Sequence, residues 1–315
     1  MADGSRPGTE KFTDPVLTAD GQQRAWVNLK QLETLWFNTG TLCNIECANC
    51  YILSSPKNDA LVYLGVDDIQ PYLDEIRDHR LGTGEIGFTG GEPFMNPKMC
   101  AMAELALQRG FNVLILTNAM RPMMRPRVQQ PLAGLATTYG DKLTLRISLD
   151  HHSADVHDRE RGQGTFDRTL QGMRWLRDEG IRMAVAGRTL TNEDEDSSRA
   201  AFQALFDREN FAIDSQNPAE LVLFPEMDER VEVPEITTAC WDILGKTPDM
   251  VMCSNSRMVV KRRGTDAPAV LACTLLAYDP QFELGRTLVD ASVPVPLNHR
   301  HCAKFCVLGG ARCSA

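Results

Sequence analysis

Between residues 35 and 224 the chain repeats one pattern: a short apolar run of strand type, then apolar residues at helical spacing. The strand-type runs are 35–39, 85–89, 113–117, 143–149, 183–190 and 221–224. Between them, Val66, Ile69, Leu73 and Ile76 fall on one helix face, as do Met102, Leu105 and Ala106. Leu132 and Leu135, then Phe166, Leu170, Met173 and Leu176, then Phe202, Leu205 and Phe206 continue the series. Gly110 and Gly180 stop two of these helices. Strands alternating with helices at this interval imply parallel βα units. There are six, short of the full set that closes a TIM barrel. After about residue 225 the alternation stops, and 257–262 and 270–274 read as a hairpin around the turn-rich 264–268. The expected organisation is a polar N-terminal extension 1–34, a βα region 35–225 and a C-terminal extension 226–315, with the boundary near residue 226.

Composition narrows the function. The 315 residues are 43% hydrophobic and 24% charged, as in ordinary globular chains. A net charge of −9 argues against a nucleic-acid partner held by a basic field. No apolar run approaches the roughly 20 residues that span a bilayer, so no membrane partner is expected. The first 21 residues are polar and lack the apolar core of a signal peptide, which points to the cytoplasm. Ten cysteines then need a reason, because disulfides are rare there.

The cysteines form two groups. Cys43, Cys47 and Cys50 follow the first strand directly, and Cys302, Cys306 and Cys313 crowd the C-terminus, with Cys253 and Cys273 flanking the hairpin. Cys100 and Cys240 have apolar neighbours at helical spacing and read as core residues. The first group sits at the C-terminal end of a strand, where βα folds place active sites. A structural zinc site takes four ligands. Three cysteines on an iron–sulfur cubane leave one iron open to a ligand. A zinc knuckle completed by a distant residue, or three buried thiols, remain as alternatives. At the end of the second strand stand Gly90, Gly91, Glu92 and Pro93. The glycines allow a tight turn and close approach to a ligand, and Glu92 offers a carboxylate to an ammonium group.

The spacing C-x3-C-x2-C in this position resembles the signature of radical S-adenosylmethionine (SAM) enzymes. That resemblance implies a partial (β/α)6, TIM-like barrel in an α/β fold. It implies that Cys43, Cys47 and Cys50 hold a [4Fe–4S] cluster whose open iron chelates SAM. Electron transfer then splits SAM to a 5′-deoxyadenosyl radical that takes hydrogen from the substrate. Residues 90–93 resemble the family's glycine-rich segment, which binds the SAM amino group. The family carries an aromatic residue beside the adenine just before the third cysteine; this chain has Asn49 there and Tyr51 just after. Thr117 and Asn118 end the third strand, and Arg146, Ser148 and Asp150 lie at the end of the fourth. Ser148 is the candidate for the ribose, and Asp150 for the substrate side. His157, Arg161 and Gly162 follow in a loop. Arg188 and Thr189 end the fifth strand, and Arg188 is the candidate partner of the SAM carboxylate.

The C-terminal cysteines resemble the SPASM or twitch extension of the same enzymes. The shorter, twitch-like form fits, with one auxiliary [4Fe–4S] cluster on Cys253, Cys273, Cys302 and Cys306 and with Cys313 as a substitute. A structural zinc on the same thiols is the alternative. Such a cluster would accept an electron from the substrate radical or anchor the substrate. The resemblance also implies an external electron donor of flavodoxin or ferredoxin type. Its substrates are peptides, protein side chains or small precursors of cofactors and natural products. The roughly 30 residues before the first strand are short for a leader-peptide domain, which weighs against a peptide bound without a helper. The rival reading is a non-catalytic iron–sulfur or zinc protein for electron transfer or scaffolding. It accounts for the cysteines but not for residues 90–93.

Overall fold

The computed structural model describes residues 10–189, 193–225 and 232–310. The expected domain boundary near 226, Leu190 and Cys313 lie outside these residues. Six strands run parallel in sequence order: β1 (Thr34–Asn38), β2 (Glu85–Thr89), β3 (Asn112–Thr117), β4 (Leu143–Ser148), β5 (Arg182–Thr189) and β6 (Leu221–Pro225). The helices between them are α1 (Val66–His79), α2 (Met99–Gln108), α3 (Pro126–Tyr139), α4 (Ala154–Arg161), α5 (Thr165–Asp178) and α6 (Glu195–Glu209). The sheet has two ends, so these strands make an open barrel wall rather than a closed ring.

Both faces of the parallel strands are buried, as βα architecture requires. Leu35, Phe37, Ile86, Phe88, Val113 and Ile115 face the helices. Trp36 and Leu114, on the alternate face, point into the barrel. Trp36 stands opposite Gly87 in the parallel register. A Cβ on Gly87 would lie 2.3 Å from the indole ring. Glycine at this strand position therefore makes room for the largest side chain of the interior.

The C-terminal region joins this sheet instead of forming one of its own. The hairpin strands are β7 (Ser256–Val260) and β8 (Ala269–Leu271), paired antiparallel. A third strand, β9 (Glu283–Gly285), follows on the far edge. β7 lies parallel against β1, from Thr34 opposite Ser256 to Phe37 opposite Val259. The complete order is β9-β8-β7-β1-β2-β3-β4-β5-β6. Met258 and Val260 then pack in the same interior cluster as Trp36. Cys273 and Thr274, expected within the second hairpin strand, lie beyond its end.

Two further features differ from the expected outline. The segment carrying His157 and Arg161 is the helix α4, not a loop. Its only buried side chain is His157, so the apolar periodicity that announces most helices is missing; Ser153, Asp155 and Gly162 are its remaining boundary signals. The polar N-terminal stretch is also tied down. Trp26–Val27 pairs antiparallel with Val295–Pro296, and buried Arg24 donates to Glu235 at 2.6 Å. Among the described residues no helix is long and apolar enough to cross a membrane.

Candidate functional site

β1 ends at Asn38, and the loop that follows carries Cys43, Cys47 and Cys50 over the C-terminal end of the sheet. The loop after β2 clasps it. Gly91 N donates to Gly40 O at 2.8 Å, and Glu92 N to Leu42 O at 3.1 Å. A Cβ on Gly91 would sit 2.3 Å from Leu42 O. Gly90 has φ +142, and a Cβ there would meet Gly40 O at 2.6 Å. The two glycines are thus required by the cysteine loop itself, and the resulting backbone forms one wall of a cavity. All three thiols line that cavity, together with Asn118, Ser148 and Arg188.

Glu92 lies behind this wall. It is 2% exposed and accepts from Thr117 Oγ1 at 2.8 Å, Asn118 N at 2.9 Å and Phe94 N at 3.1 Å. Its carboxylate braces the ends of β2 and β3, and the cavity receives the backbone of Thr89–Gly91. Pro93 opens the 3₁₀ turn Pro93–Met95 capped by Glu92. Burial pushes the Glu92 pKa from 4.5 to about 7, against the three hydrogen bonds, which lower it. A raised folded-state pKa gives stability that is full below the unfolded value and is lost as pH rises through about 7. In Glu92→Gln an amide NH₂ replaces one acceptor and strands a buried donor, which costs about 1–3 kcal/mol. Urea unfolding of the apoprotein should therefore show a less stable variant. The wild-type advantage should shrink between pH 4.5 and 7. Equal stability at both pH values, with only SAM affinity reduced, would return Glu92 to the ligand.

Asp150, Arg161 and Arg188 form the polar floor. Arg161 donates to Asp150 through Nε at 2.7 Å and Nη2 at 2.8 Å, and Arg188 Nε approaches it at 3.4 Å. Burial raises the Asp150 pKa, but Arg161 and Arg188 outweigh it and hold the group near 2. Asp150 is thus a fixed anion shared by two cations, not an acid open to a substrate. Arg188 also donates to Asn49 O at 2.8 Å and lies over the Tyr51 ring at 5.1 Å. Its Nη1 is buried without a hydrogen-bond partner among the described residues. Asn49 turns to Glu160 of α4, donating at 2.6 Å, whereas Tyr51 lines the cavity. His157 is fully buried against Phe166 and does not reach the cavity. Asn118 Nδ2 donates to Asn44 Oδ1 at 3.0 Å and points at Cys43 Sγ at 3.9 Å.

In the second thiol group the sheet register places Cys253, while Phe305, between Cys302 and Cys306, packs on Phe224 near the end of β6 and on Tyr51. Ser256 pairs with Thr34 at the start of β1, so Cys253 precedes the sheet end opposite Cys43. Cys253, Cys302 and Cys306 are buried and Cys273 packs against the same core cluster. Cys302 and Cys306 share the π-helical segment Cys302–Leu308. Burial, then Cys273 and Cys253, push the Cys302 pKa up. Burial likewise takes Cys253 to about 11 and Cys43 to about 12, so metal binding at either group displaces protons. Thr274, Leu275 and Phe305, chain neighbours of these cysteines, line the same cavity as the first group.

Among the described residues no three cysteine sulfurs lie within 4.8 Å of one another. Tetrahedral zinc with bonds near 2.3 Å needs its sulfurs about 3.8 Å apart. A four-iron cubane, with each thiolate on a different iron, takes a wider set. His151, His152 and Glu193 do bring three ligand atoms within 4.8 Å, a cluster not singled out from sequence. Ser153 N donates to His151 Nδ1 at 3.0 Å, which puts the ring proton on Nε2, facing Glu193 at 2.9 Å. His151 and Glu193 form a hydrogen-bonded pair, with the His152 ring tilted beside His151 at 3.9 Å. Cys100 and Cys240 are half-buried and pack against the two core clusters.

Comparison with known proteins supplies the family. The Radical SAM superfamily matches residues 37–201, just over half of the 315. The antilisterial bacteriocin subtilosin biosynthesis protein AlbA of Bacillus subtilis (strain 168) is 34% identical over 145 residues, 46% of this chain and 30% of that protein. The mycofactocin maturase MftC of Mycobacterium tuberculosis (strain ATCC 25618 / H37Rv) is 32% identical over 146 residues, 45% of this chain and 34% of that one. The aligned stretch is thus about a third of the length of either curated relative. Streptococcus suis SuiB, solved bound to precursor peptide SuiA, superposes with a TM-score of 0.58 at 13% identity, over 86% of this chain and 66% of that chain. That likeness is one of fold. With the superfamily match running from β1 into α6 across the thiol loop and the Gly90–Gly91 wall, the chain belongs to the radical SAM superfamily.

Proposed function

We propose that the chain is a maturase-type radical SAM enzyme that oxidises a peptide with the help of an auxiliary [4Fe–4S] cluster. The observation that carries this reading is the cavity in which three thiols, a glycine-backbone wall and an unpartnered arginine nitrogen converge. When bound, the first cluster and SAM supply a 5′-deoxyadenosyl radical for hydrogen abstraction. The chain's own residues bind and orient. Cys43, Cys47 and Cys50 hold the cluster, and Asn118 Nδ2 supports the Cys43 sulfur. Arg188 Nη1, buried and unpaired among the described residues, is fitted to a carboxylate. Asp150 balances one of the two nearby arginine charges and leaves the other for that anion. The Thr89–Gly91 backbone, in place of the Glu92 carboxylate, meets the ammonium, Ser148 faces the ribose, and Tyr51 faces the adenine. Trp36, Leu116, Phe224 and Phe305 wall the cavity with apolar surface, which keeps water from a reactive intermediate.

Cys253, Cys273, Cys302 and Cys306 hold the auxiliary cluster in this reading. The peptide assignment is supported by AlbA and MftC, named for bacteriocin biosynthesis and mycofactocin maturation, and by the SuiB complex with a precursor peptide. Anaerobic reconstitution should give about eight irons and eight sulfides per chain, four per cubane. Reduction by dithionite with SAM should release 5′-deoxyadenosine. Four irons with one zinc would overturn the auxiliary cluster, and iron without SAM cleavage would overturn the enzyme reading.

A further inference from the structure

Arg257, at the start of β7, is 1% exposed. Among the described residues its guanidinium donates only to backbone carbonyls. Nε reaches Ala291 O at 2.9 Å, and Nη1 reaches Cys253 O at 2.6 Å and Ser256 O at 2.8 Å. Nη2 reaches Val293 O at 3.2 Å. Among the described residues no carboxylate pairs with it. Arg24, buried to the same degree, differs: it has Glu235 at 2.6 Å. A buried charge without a counter-charge is costly, and carbonyl dipoles offset only part of that cost. The nearby groups able to carry negative charge are thiols. Cys253 lends its own carbonyl to Nη1; burial pushes the Arg257 pKa down, and Cys253 and Cys273 oppose that shift.

We propose that Arg257 is the built-in counter-charge of the C-terminal thiol site, a positioning residue that raises the reduction potential of the cluster held there. This rests on the auxiliary-cluster reading given above. Protonated thiols leave the guanidinium uncompensated, whereas four thiolates around a cubane supply the anion it lacks. One electron added to such a centre, with no proton, increases its negative charge. A fixed cation beside it stabilises the reduced state more than the oxidised one. The carbonyl bonds hold the guanidinium in place, since Cys253 and Ser256 lie on one side of it and Ala291 and Val293 on the other.

The test is an EPR-monitored redox titration of reconstituted holoenzyme, comparing wild type with Arg257→Met, Arg257→Gln and Arg257→Lys. Loss of the charge in Met or Gln should lower the equilibrium constant for reduction of the auxiliary cluster at least tenfold, about 59 mV for a one-electron couple. Lys, which keeps the charge, should restore most of it. The cluster on Cys43, Cys47 and Cys50 should not move and serves as the internal control. If Met and Gln lose the auxiliary irons while Lys keeps them, the charge is needed for loading, and the proposal stands. An unchanged potential in a loaded Met or Gln variant overturns it. So does loss of the irons in all three variants, which would make Arg257 a packing tie. Wild-type protein without auxiliary iron would instead refute the cluster reading on which the proposal rests, a distinct outcome seen before any variant is made.

Discussion

The triple variant Cys43→Ala, Cys47→Ala, Cys50→Ala should release no 5′-deoxyadenosine, a loss of at least about a thousandfold, or ~4 kcal/mol in barrier. Its iron content should fall by half, because the C-terminal thiols belong to a separate part of the fold. The three thiols share one loop, that loop is fixed by backbone bonds to Gly91 and Glu92, and Ala48 N is held by Glu160 O at 2.9 Å. Removing sulfur from a loop with so many independent anchors removes ligands without removing the wall. The apoprotein should therefore unfold at nearly the wild-type denaturant concentration. Retention of the full iron content would show that the irons sit elsewhere and would end the assignment of the first cluster. Retention of SAM cleavage at half the iron content would place the SAM site at the C-terminal thiols, against the cavity's composition.

What the sequence could and could not announce follows from the range of each signal. The six βα units were legible because each depends on local periodicity, and Leu35 to Phe224 carry it clearly. The thiol loop was legible because its three cysteines stand close together in sequence, directly after a strand. α4 was misread because it buries only His157, leaving periodicity little to report. The parallel seating of β7 on β1 was not legible at all. No local pattern names a partner some two hundred residues away, and a hairpin reads the same whether it stands alone or extends a barrel. Glu92 shows a subtler limit. A carboxylate after two glycines looks equally suited to a ligand or to the backbone, and only the positions of Phe94 N, Thr117 and Asn118 N distinguish them. Arg257 was invisible as a functional candidate because an arginine in a strand pattern signals a solvated face, whereas here it is buried.

The double variant Cys253→Ala, Cys273→Ala should separate SAM cleavage from turnover. The cavity residues proposed to hold SAM and its cluster, from Cys43 to Arg188, belong to the loops and strands of β1 to β5. Among the described residues the extension reaches the same cavity only through Thr274, Leu275 and Phe305. Release of 5′-deoxyadenosine under dithionite should accordingly persist within a few-fold of wild type. Formation of an oxidised peptide product should fall by two orders of magnitude or more, roughly 3 kcal/mol or above, because the substrate radical loses its electron acceptor or its anchor. Two contacts make folding the first thing to check. Tyr278 OH donates to Ile52 O at 2.7 Å and accepts from Asn58 Nδ2 at 3.2 Å, so the extension clamps the segment just after Cys50. A collapsed extension would disturb the first thiol loop, and SAM cleavage would fall together with product. Persistence of SAM cleavage is therefore itself the control that the clamp is intact. In a variant that passes it, wild-type product formation would make the C-terminal site structural, and zinc on its thiols would become the better reading.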